Sequence, residues 1–232
     1  NNPDVNSIFI SLDQYTRTTE EKNKKRYCIE ALNDICNFQN NKHVYTIPQS
    51  KLKGIKSYPF IYWISDEFRE MFSKYSLDKT AQVISGLKTG KNEGALRLWW
   101  EVNDNNKWTA YTKGGEYNKW YGNNWLKVRS ENDFEYIKQQ NSWSIPSIIG
   151  KLGITYNGSG SKGITYRLLE PELLFDMGAS AIFSQSSIFH LGLLNSKLLF
   201  YCSNCLNPTV NKQPGDIKRL PFVSINNCDK KD

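Results

Sequence analysis

Residues 84–129 constrain the fold more than any other part of the sequence, because glycines divide an aromatic and basic stretch into short pieces. Six glycines fall here, and each allows a sharp turn or a close backbone approach. The stretch also carries five of the seven tryptophans and eight cationic side chains against four acidic ones. This composition is typical of nucleic-acid binding. The alternative is an aromatic core with a solvated rim of lysines.

The whole chain of 232 residues has a globular composition, with 39% hydrophobic and 23% charged residues. No apolar run approaches the ~18 residues of a membrane span, and the first ten residues lack the pattern of a signal peptide. We therefore expect a cytoplasmic protein without a membrane contact. The net charge of +7 favours a polyanionic partner, although lysine-rich surfaces often serve only solubility.

Hydrophobic periodicity predicts a mixture of strands and helices. Strands are expected at residues 7–15, 44–47, 60–64, 81–85, 108–111, 125–128, 173–175 and 181–183, with another strand signal near Ile217. A β-hairpin is expected where Gly-Ile-Thr-Tyr at residues 153–156 recurs at 163–166. Helices are expected at residues 18–38, 65–75, 132–140 and 186–204, the last packing closely at Gly192. These elements predict an α+β fold with a mixed, twisted β-sheet and flanking helices.

The five cysteines are odd in number and widely scattered, which argues against a disulfide framework and favours reduced thiols. Cys202 and Cys205 form a lone C-x-x-C, but a structural zinc site needs four ligands. Neither histidine completes such a set by its spacing. We predict no metal site, and we expect these two thiols to be buried on an apolar helix.

Sequence motifs for catalysis are missing. The chain has no G-x-S-x-G, H-E-x-x-H, P-loop or G-x-G-x-x-G motif, and its carboxylates are not paired in a recognisable spacing. Two histidines also make acid and base catalysis by imidazole a poor prediction. We therefore predict that this chain has no catalytic activity of its own. A nuclease would require a carboxylate cluster assembled only by folding.

Cationic and amide side chains in several turns are candidates for DNA contacts, because lysine and arginine bind phosphates and guanine while asparagine and glutamine pair with adenine. For each residue alone, an ordinary surface position is the alternative, so the prediction depends on their clustering. The candidates are Lys88, Thr89, Lys91, Asn92, Arg97, Lys113, Glu116, Asn118, Lys119, Trp120, Tyr121, Lys162, Thr165, Arg167, Lys212 and Gln213.

Five sequence blocks resemble a known family. The blocks GLKTGKNEGALRLWWEV, YTKGGEYNKWYGN, GITYRLL, HLGLLNSKL and LNPTVNKQPGDIKRLPF occur in this order. Together they resemble the C-terminal half of PglX-type adenine-specific DNA methyltransferases of BREX phage-defence systems. This resemblance extends over residues 60–222. More distantly, the strand with the T-G-x-N loop after it and the later L-G-L-L-N-S-K helix are similar to target recognition domains of Type IIG and Type I restriction-modification enzymes. The sequence departs from the family at Ala95, where a large aromatic is expected, and at Lys212, where an apolar residue is commoner.

The resemblance implies a division of labour within a longer protein. In that family another domain binds S-adenosylmethionine and carries an N-P-P-Y motif that methylates adenine, and this chain contains no N-P-P-Y. Residues 1–58 would then join the methyltransferase module, and residues 59–232 would recognise double-stranded DNA. The expected partners are DNA, the methyltransferase domain and other defence-system subunits, and the cofactor belongs to the parent protein. The 186–204 helix would pack against a neighbouring domain.

One alternative function stays open at this point. A protein-interaction domain could use exposed aromatic side chains to dock a defence-system subunit or a phage inhibitor. An apolar surface patch would favour docking, whereas a basic cleft would favour DNA recognition.

Overall fold

The computed structural model describes residues 5–103, 107–140 and 146–222. The chain divides into two compact units, Asn1–Ser73 and Lys74–Asp232. The α+β class is confirmed, since helices and sheets occur together in each unit. No helix in the described residues is long and apolar enough to cross a membrane. The predicted division of roles at residue 58 stays a prediction.

The first unit is built on an antiparallel hairpin of β1 (Asn6–Ile10) and β2 (Val44–Pro48), with helices α1 (Lys24–Cys36), α2 (Gln49–Leu52) and α3 (Asp66–Lys74). The prediction of a strand at residues 60–64 is wrong. These residues contact the hairpin through aromatic rings, because Tyr62 stacks on Phe9 with ring centroids 4.3 Å apart. The predicted start of α3 is confirmed, since the Ser65 hydroxyl accepts the Phe68 amide at 3.2 Å.

The second unit contains two four-stranded sheets, with strand orders β3-β10-β7-β8 and β4-β6-β5-β9. The first sheet is antiparallel throughout, and the second is mixed because β5 and β9 run parallel. The strands are β3 (Ala81–Ile84), β4 (Leu96–Leu98), β5 (Trp108–Thr112), β6 (Leu126–Arg129), β7 (Gly153–Tyr156), β8 (Tyr166–Leu169), β9 (Leu174–Phe175) and β10 (Ala181–Ser184). The helices are α4 (Asn92–Ala95), α5 (Glu131–Lys138), α6 (Ser187–Leu194), α7 (Lys197–Leu206) and α8 (Pro214–Lys218).

Two hydrophobic clusters form the core of this unit, and the short strand β9 contributes to both. Leu174 packs with Tyr111 and Val128 in one cluster, while Phe175 packs with Phe183 in the other. This arrangement follows from strand geometry, because successive side chains point to opposite faces. Strand β9 therefore connects the interiors of the two sheets and fixes the loops beside it.

The C-terminal part of the unit differs from the prediction at three points. The single helix at 186–204 is two helices, because the chain is extended at Ser196, whose hydroxyl caps α7. The strand signal near Ile217 is the short helix α8, which begins at Pro214, a residue suited to the first helical position. Gly192 makes no close packing, since an added Cβ there would meet no atom within 4 Å.

Candidate nucleic-acid interface

The 85–91 loop follows β3 and is held by backbone hydrogen bonds to β9 and the residues after it. The Leu87 amide donates to the Phe175 carbonyl at 2.7 Å, and the Leu87 carbonyl accepts the Met177 amide at 3.2 Å. Gly86 permits this approach, because a Cβ there would collide with the Phe175 and Asp176 carbonyls. The loop backbone is therefore fixed while the side chain of Lys88 is exposed.

The end of this loop is ordered by side chains. The Thr89 hydroxyl donates to Asn92 Oδ1 at 2.8 Å, and the Lys91 amide donates to Gln140 Oε1 at 2.6 Å. Gly90 has a φ of 70°, a conformation that favours glycine. Lys91 and Asn92 are exposed as a result, whereas Thr89 is buried and structural.

A cavity of about 790 Å³, here called the open basin, gathers three of the predicted lysines. Its only acidic lining residue within the described part of the chain is Asp176, whose carboxylate accepts bonds from Tyr111 Oη at 2.6 Å and the Gly178 amide at 2.7 Å. Burial, with the nearby Asp176 charge, raises the pKa of Tyr111. The basin is net basic. It is lined by Lys88, Thr89, Gly90, Lys91, Asn92, Lys113, Tyr136, Gln139, Gln140, Asp176 and Met177.

The 113–125 loop between β5 and β6 is held by hydrogen bonds of the buried Asn123 side chain. Its Nδ2 donates to the Gly114 carbonyl at 3.0 Å and to the Glu116 carbonyl at 3.1 Å, while its Oδ1 accepts from Asn118 Nδ2 at 2.8 Å. Asn118 therefore supports the loop through this bond. Glu116 is exposed.

The same loop is tied to strand β8. The Trp120 amide donates to the Tyr166 carbonyl at 3.0 Å, and the Trp120 carbonyl accepts the Leu168 amide at 2.8 Å. Trp120 and Tyr121 keep exposed side chains, and Tyr121 Oη is 3.3 Å from Glu170 Oε2.

Arg167 is fully buried and donates from Nη2 to the Gly114 carbonyl at 3.0 Å. Burial lowers its pKa to about 10. Its position removes it from the solvent-facing set, so the predicted DNA contact by Arg167 does not agree with the structure. The guanidinium instead positions the 113–125 loop against β8.

The 157–165 loop between β7 and β8 is closed by Asn157. Its Oδ1 accepts from the Thr165 amide at 2.6 Å and from the Thr165 hydroxyl at 2.9 Å. Thr165 is therefore buried and does not agree with a DNA-contacting role, whereas Lys162 at the loop tip is exposed. The predicted hairpin is confirmed, with β8 beginning at Tyr166.

A second cavity of about 210 Å³, here called the lysine pocket, lies between the loops and helix α7. The Asn195 side chain, between α6 and α7, forms two hydrogen bonds to β8: its Oδ1 accepts from the Tyr166 amide at 3.2 Å, and its Nδ2 donates to the Tyr166 carbonyl at 2.9 Å. Lys119 donates to the Asn195 carbonyl at 3.2 Å. The pocket is lined by Tyr117, Lys119, Lys162, Ile164, Tyr166, Leu194, Asn195, Ser196, Lys197, Leu199, Phe200, Ser203, Asn204 and Lys212.

Lys212 is buried, and the predicted surface contact to DNA by this residue does not agree with the structure. Its ammonium group donates to the Asn207 carbonyl and, at 3.3 Å, to the Ser203 carbonyl. Burial lowers its pKa, opposed by the charge of Asp216. The neighbouring Gln213 is exposed and forms the N-cap of α8.

A third cavity of about 330 Å³ lies between the 113–125 and 157–165 loops. It shares Tyr117 and Lys162 with the lysine pocket, and its other lining residues include Glu116 from the loop that carries Lys113. The 85–91, 113–125 and 157–165 loops therefore contribute lysines to neighbouring concavities. Arg97 is half-buried and lines none of the three cavities; its guanidinium lies 5.8 Å from the Trp108 ring centre and bonds to backbone carbonyls.

Most tryptophans of the 84–129 stretch are exposed, so the alternative of an aromatic core is wrong for them. Trp99 is 58% exposed, Trp100 is 60% exposed and Trp125 is 41% exposed. The Trp99 amide donates to the Trp125 carbonyl at 2.9 Å, and the rings of Trp99 and Trp100 pack edge to face at 5.5 Å. These three residues form an exposed group, here called the tryptophan patch.

The thiols of Cys202 and Cys205 are buried on α7, as predicted, and burial raises the pKa of Cys202 to about 12. Cys228 lies outside the described residues. Within the described ranges, no three His, Cys, Asp or Glu side chains are grouped as metal ligands would be.

Comparison with known proteins finds similar methyltransferases. The chain is 30% identical over 197 residues to the adenine-specific methyltransferase BrxX of Escherichia coli O9:H4 (strain HS), a match covering 78% of the chain and 16% of the relative. It is 27% identical over 212 residues to the adenine-specific methyltransferase PglX of Lacticaseibacillus casei (strain Zhang), covering 79% of the chain and 18% of the relative. The chain is homologous to adenine-specific methyltransferases. No protein-family model matches the sequence.

These relatives are much longer than the chain, which spans less than a fifth of either. The sequence predicts the basic loops but not the residues that hold them, namely Asn123, Asn157, Gln140 and Asn195. Lys197, which lines the lysine pocket, is not predicted either. The Ser-Lys pair at residues 196–197 indicates a helix start, because serine is a preferred N-cap residue.

Proposed function

We propose that this chain is the DNA target recognition region of a longer adenine-specific DNA methyltransferase of a BREX-type defence system. One observation carries the proposal: three rigidly held loops place lysines around neighbouring concavities of the second unit. Lysines on a fixed backbone suit phosphate contacts, and amide side chains such as Asn92 suit base contacts. The homology to adenine-specific methyltransferases supports the same assignment.

In this proposal the methyl transfer takes place in another part of the longer protein. That part would bind S-adenosylmethionine and hold the target adenine, while the open basin places the duplex. Lys88 and Lys113 would contact phosphates from two different loops. Asn92, whose Oδ1 is fixed by Thr89, would present its amide at a base edge.

Binding of a labelled duplex, followed by fluorescence anisotropy, tests the proposal. Lys88→Gln and Lys113→Gln should each weaken binding about fivefold, the effect of losing roughly 1 kcal/mol per phosphate contact. Lys218→Gln is the matched control, because Lys218 is an exposed lysine of α8 that lines none of the three cavities. Equal losses in all three variants would contradict a specific basic surface.

The tryptophan patch favours a second candidate function, the docking of a protein partner. Large exposed aromatic side chains are typical of the centres of protein interfaces. The same assay separates the candidates. A chain that binds no duplex even at low salt, or whose duplex affinity is independent of Lys88 and Lys113, supports docking instead of DNA recognition.

A further inference from the structure

The lysine pocket concentrates positive charge without a direct counter-ion. Lys119, Lys162, Lys197 and Lys212 all line it, and no aspartate or glutamate is among the described residues that do so. Charges of one sign in a concave site with low-dielectric walls reinforce each other's field. The pocket therefore favours an anionic ligand.

Helix α7 begins at the wall of this pocket. The Ser196 hydroxyl accepts the Leu199 amide at 3.2 Å, which satisfies one of the first-turn donors. The amides of Lys197 and Leu198 lie outside the helical hydrogen bonds, because first-turn donors have no intrahelical acceptor. The positive end of the helix dipole adds to the lysine charges.

A buried polar group that lines the pocket gives an independent indication of a ligand. Ser203 is 5% exposed, and its hydroxyl has no hydrogen-bond partner within the described residues. Lys212 is also 5% exposed, and its three ammonium donors bond to neutral oxygens of Ser203, Asn204 and Asn207, so it adds positive charge to the pocket and no free donor. An unpartnered buried hydroxyl costs free energy unless a ligand compensates it.

We propose that the lysine pocket binds a phosphate ester, with Lys197, Lys162 and the first turn of α7 around the phosphate. The cavity of about 210 Å³ is smaller than the ~300–1,000 Å³ typical of drug-sized ligands, which suits one phosphate and part of its sugar. Tyr117 and Phe200 supply flat walls for the attached group. The phosphate belongs either to a free nucleotide or to a DNA backbone, and only the second source rests on the proposed function.

Amide chemical shifts of the full 232-residue chain test the pocket directly. Inorganic phosphate and thymidine 5′-monophosphate should shift the amide signals of Lys197 and Leu198 in a saturable way, whereas sodium chloride at equal ionic strength should not. Lys197→Gln should weaken this binding about tenfold, as expected for the loss of a charge-assisted hydrogen bond. Ser203→Ala should weaken only the binding of thymidine 5′-monophosphate, because Ser203 lies about 9 Å along α7 from Lys197, beyond the phosphate, and Lys218→Gln should match the wild type.

Failure of the pocket is distinguishable from failure of the proposed function. If neither phosphate compound produces a saturable shift, or if Lys197→Gln binds as Lys218→Gln does, the inference is overturned even where duplex binding persists. If both compounds bind but a duplex does not displace them, the pocket takes a free nucleotide and the inference stands. Displacement by duplex, lost in Lys197→Gln, supports a backbone phosphate as the ligand.

Discussion

At the scale of single residues, Asn123 shows how one amide organises the loop between β5 and β6. Its backbone has a φ of 64°, a left-handed conformation that asparagine tolerates better than most residues. Its carbonyl accepts the Thr112 hydroxyl at 3.3 Å, in addition to the three side-chain bonds described above. The lysines of the loop, half-buried Lys113 and exposed Lys119, depend on this buried, neutral residue for their position.

Replacing Asn123 separates its hydrogen bonds from its backbone conformation. Asn123→Gly should lower the free energy of unfolding by about 1–3 kcal/mol, because the Gly114 and Glu116 carbonyls lose their donor. Asn123→Ala should lower it by about 1 kcal/mol more, because alanine resists the left-handed conformation. Urea unfolding measures both values. An alanine variant more stable than the glycine variant would contradict the left-handed backbone.

The sequence predicts which loops are basic, but it does not predict which side chains face solvent. Thr165 and Arg167 lie near Lys162 in the chain, yet both are buried while Lys162 is exposed. The direction of Thr165 is set by Asn157 at the other end of the same loop, and that of Arg167 by the Gly114 carbonyl, 53 residues away in the sequence. Lys212 is the informative case. The structure places this lysine in a buried position, where its ammonium bonds to oxygens of Ser203, Asn204 and Asn207.

At the scale of elements, the two-residue strand β9 couples the sheets and the 85–91 loop. It pairs in parallel with β5, while the Phe175 carbonyl accepts the Leu87 amide. Gly86 sits where this loop passes closest to β9, with no space for a side chain. A loop fixed to two sheets in this way keeps Lys88 and Lys91 in one geometry.

Gly86→Ala should therefore destabilise the second unit by several kcal/mol, because the added methyl group meets backbone atoms that cannot rotate away. Gly192→Ala is the matched control. Its Cβ would enter open space within α6, so it should stabilise the protein by roughly 0.5–1 kcal/mol. Thermal unfolding of the two variants gives the comparison. A Gly86→Ala variant as stable as the wild type would show that the loop is not held against β9.

Elements with clear periodicity were predictable, and those decided by long-range packing were not. Strands β3, β5, β6 and β10 and the β7–β8 hairpin agree with the alternation of the sequence. Residues 60–64 have the composition of a strand, but the ring of Tyr62 stacks on Phe9, a contact no local pattern contains. The break before α7 depends on Asn195, which bonds to Tyr166 of β8.

At the scale of the whole molecule, part of the net charge of +7 is concentrated in two cavities. The open basin and the lysine pocket share no lining residue, and each contains at least three lysines. If the phosphate in the lysine pocket belongs to the DNA backbone, a duplex contacts both cavities, and their contributions to binding should be independent. Distant sites without common partners usually have additive effects.

The salt dependence of duplex binding tests this additivity. Each phosphate neutralised contributes about −0.9 to the slope of log affinity against log salt concentration. The Lys88→Gln, Lys113→Gln double variant should therefore flatten the slope by about 2, and Lys162→Gln with Lys197→Gln should do the same. The quadruple variant should lose the sum of both, whereas Lys218→Gln should leave the slope unchanged. A quadruple variant no flatter than one double variant would mean that a duplex contacts only one of the two cavities, because the second pair of lysines would then release no counter-ions.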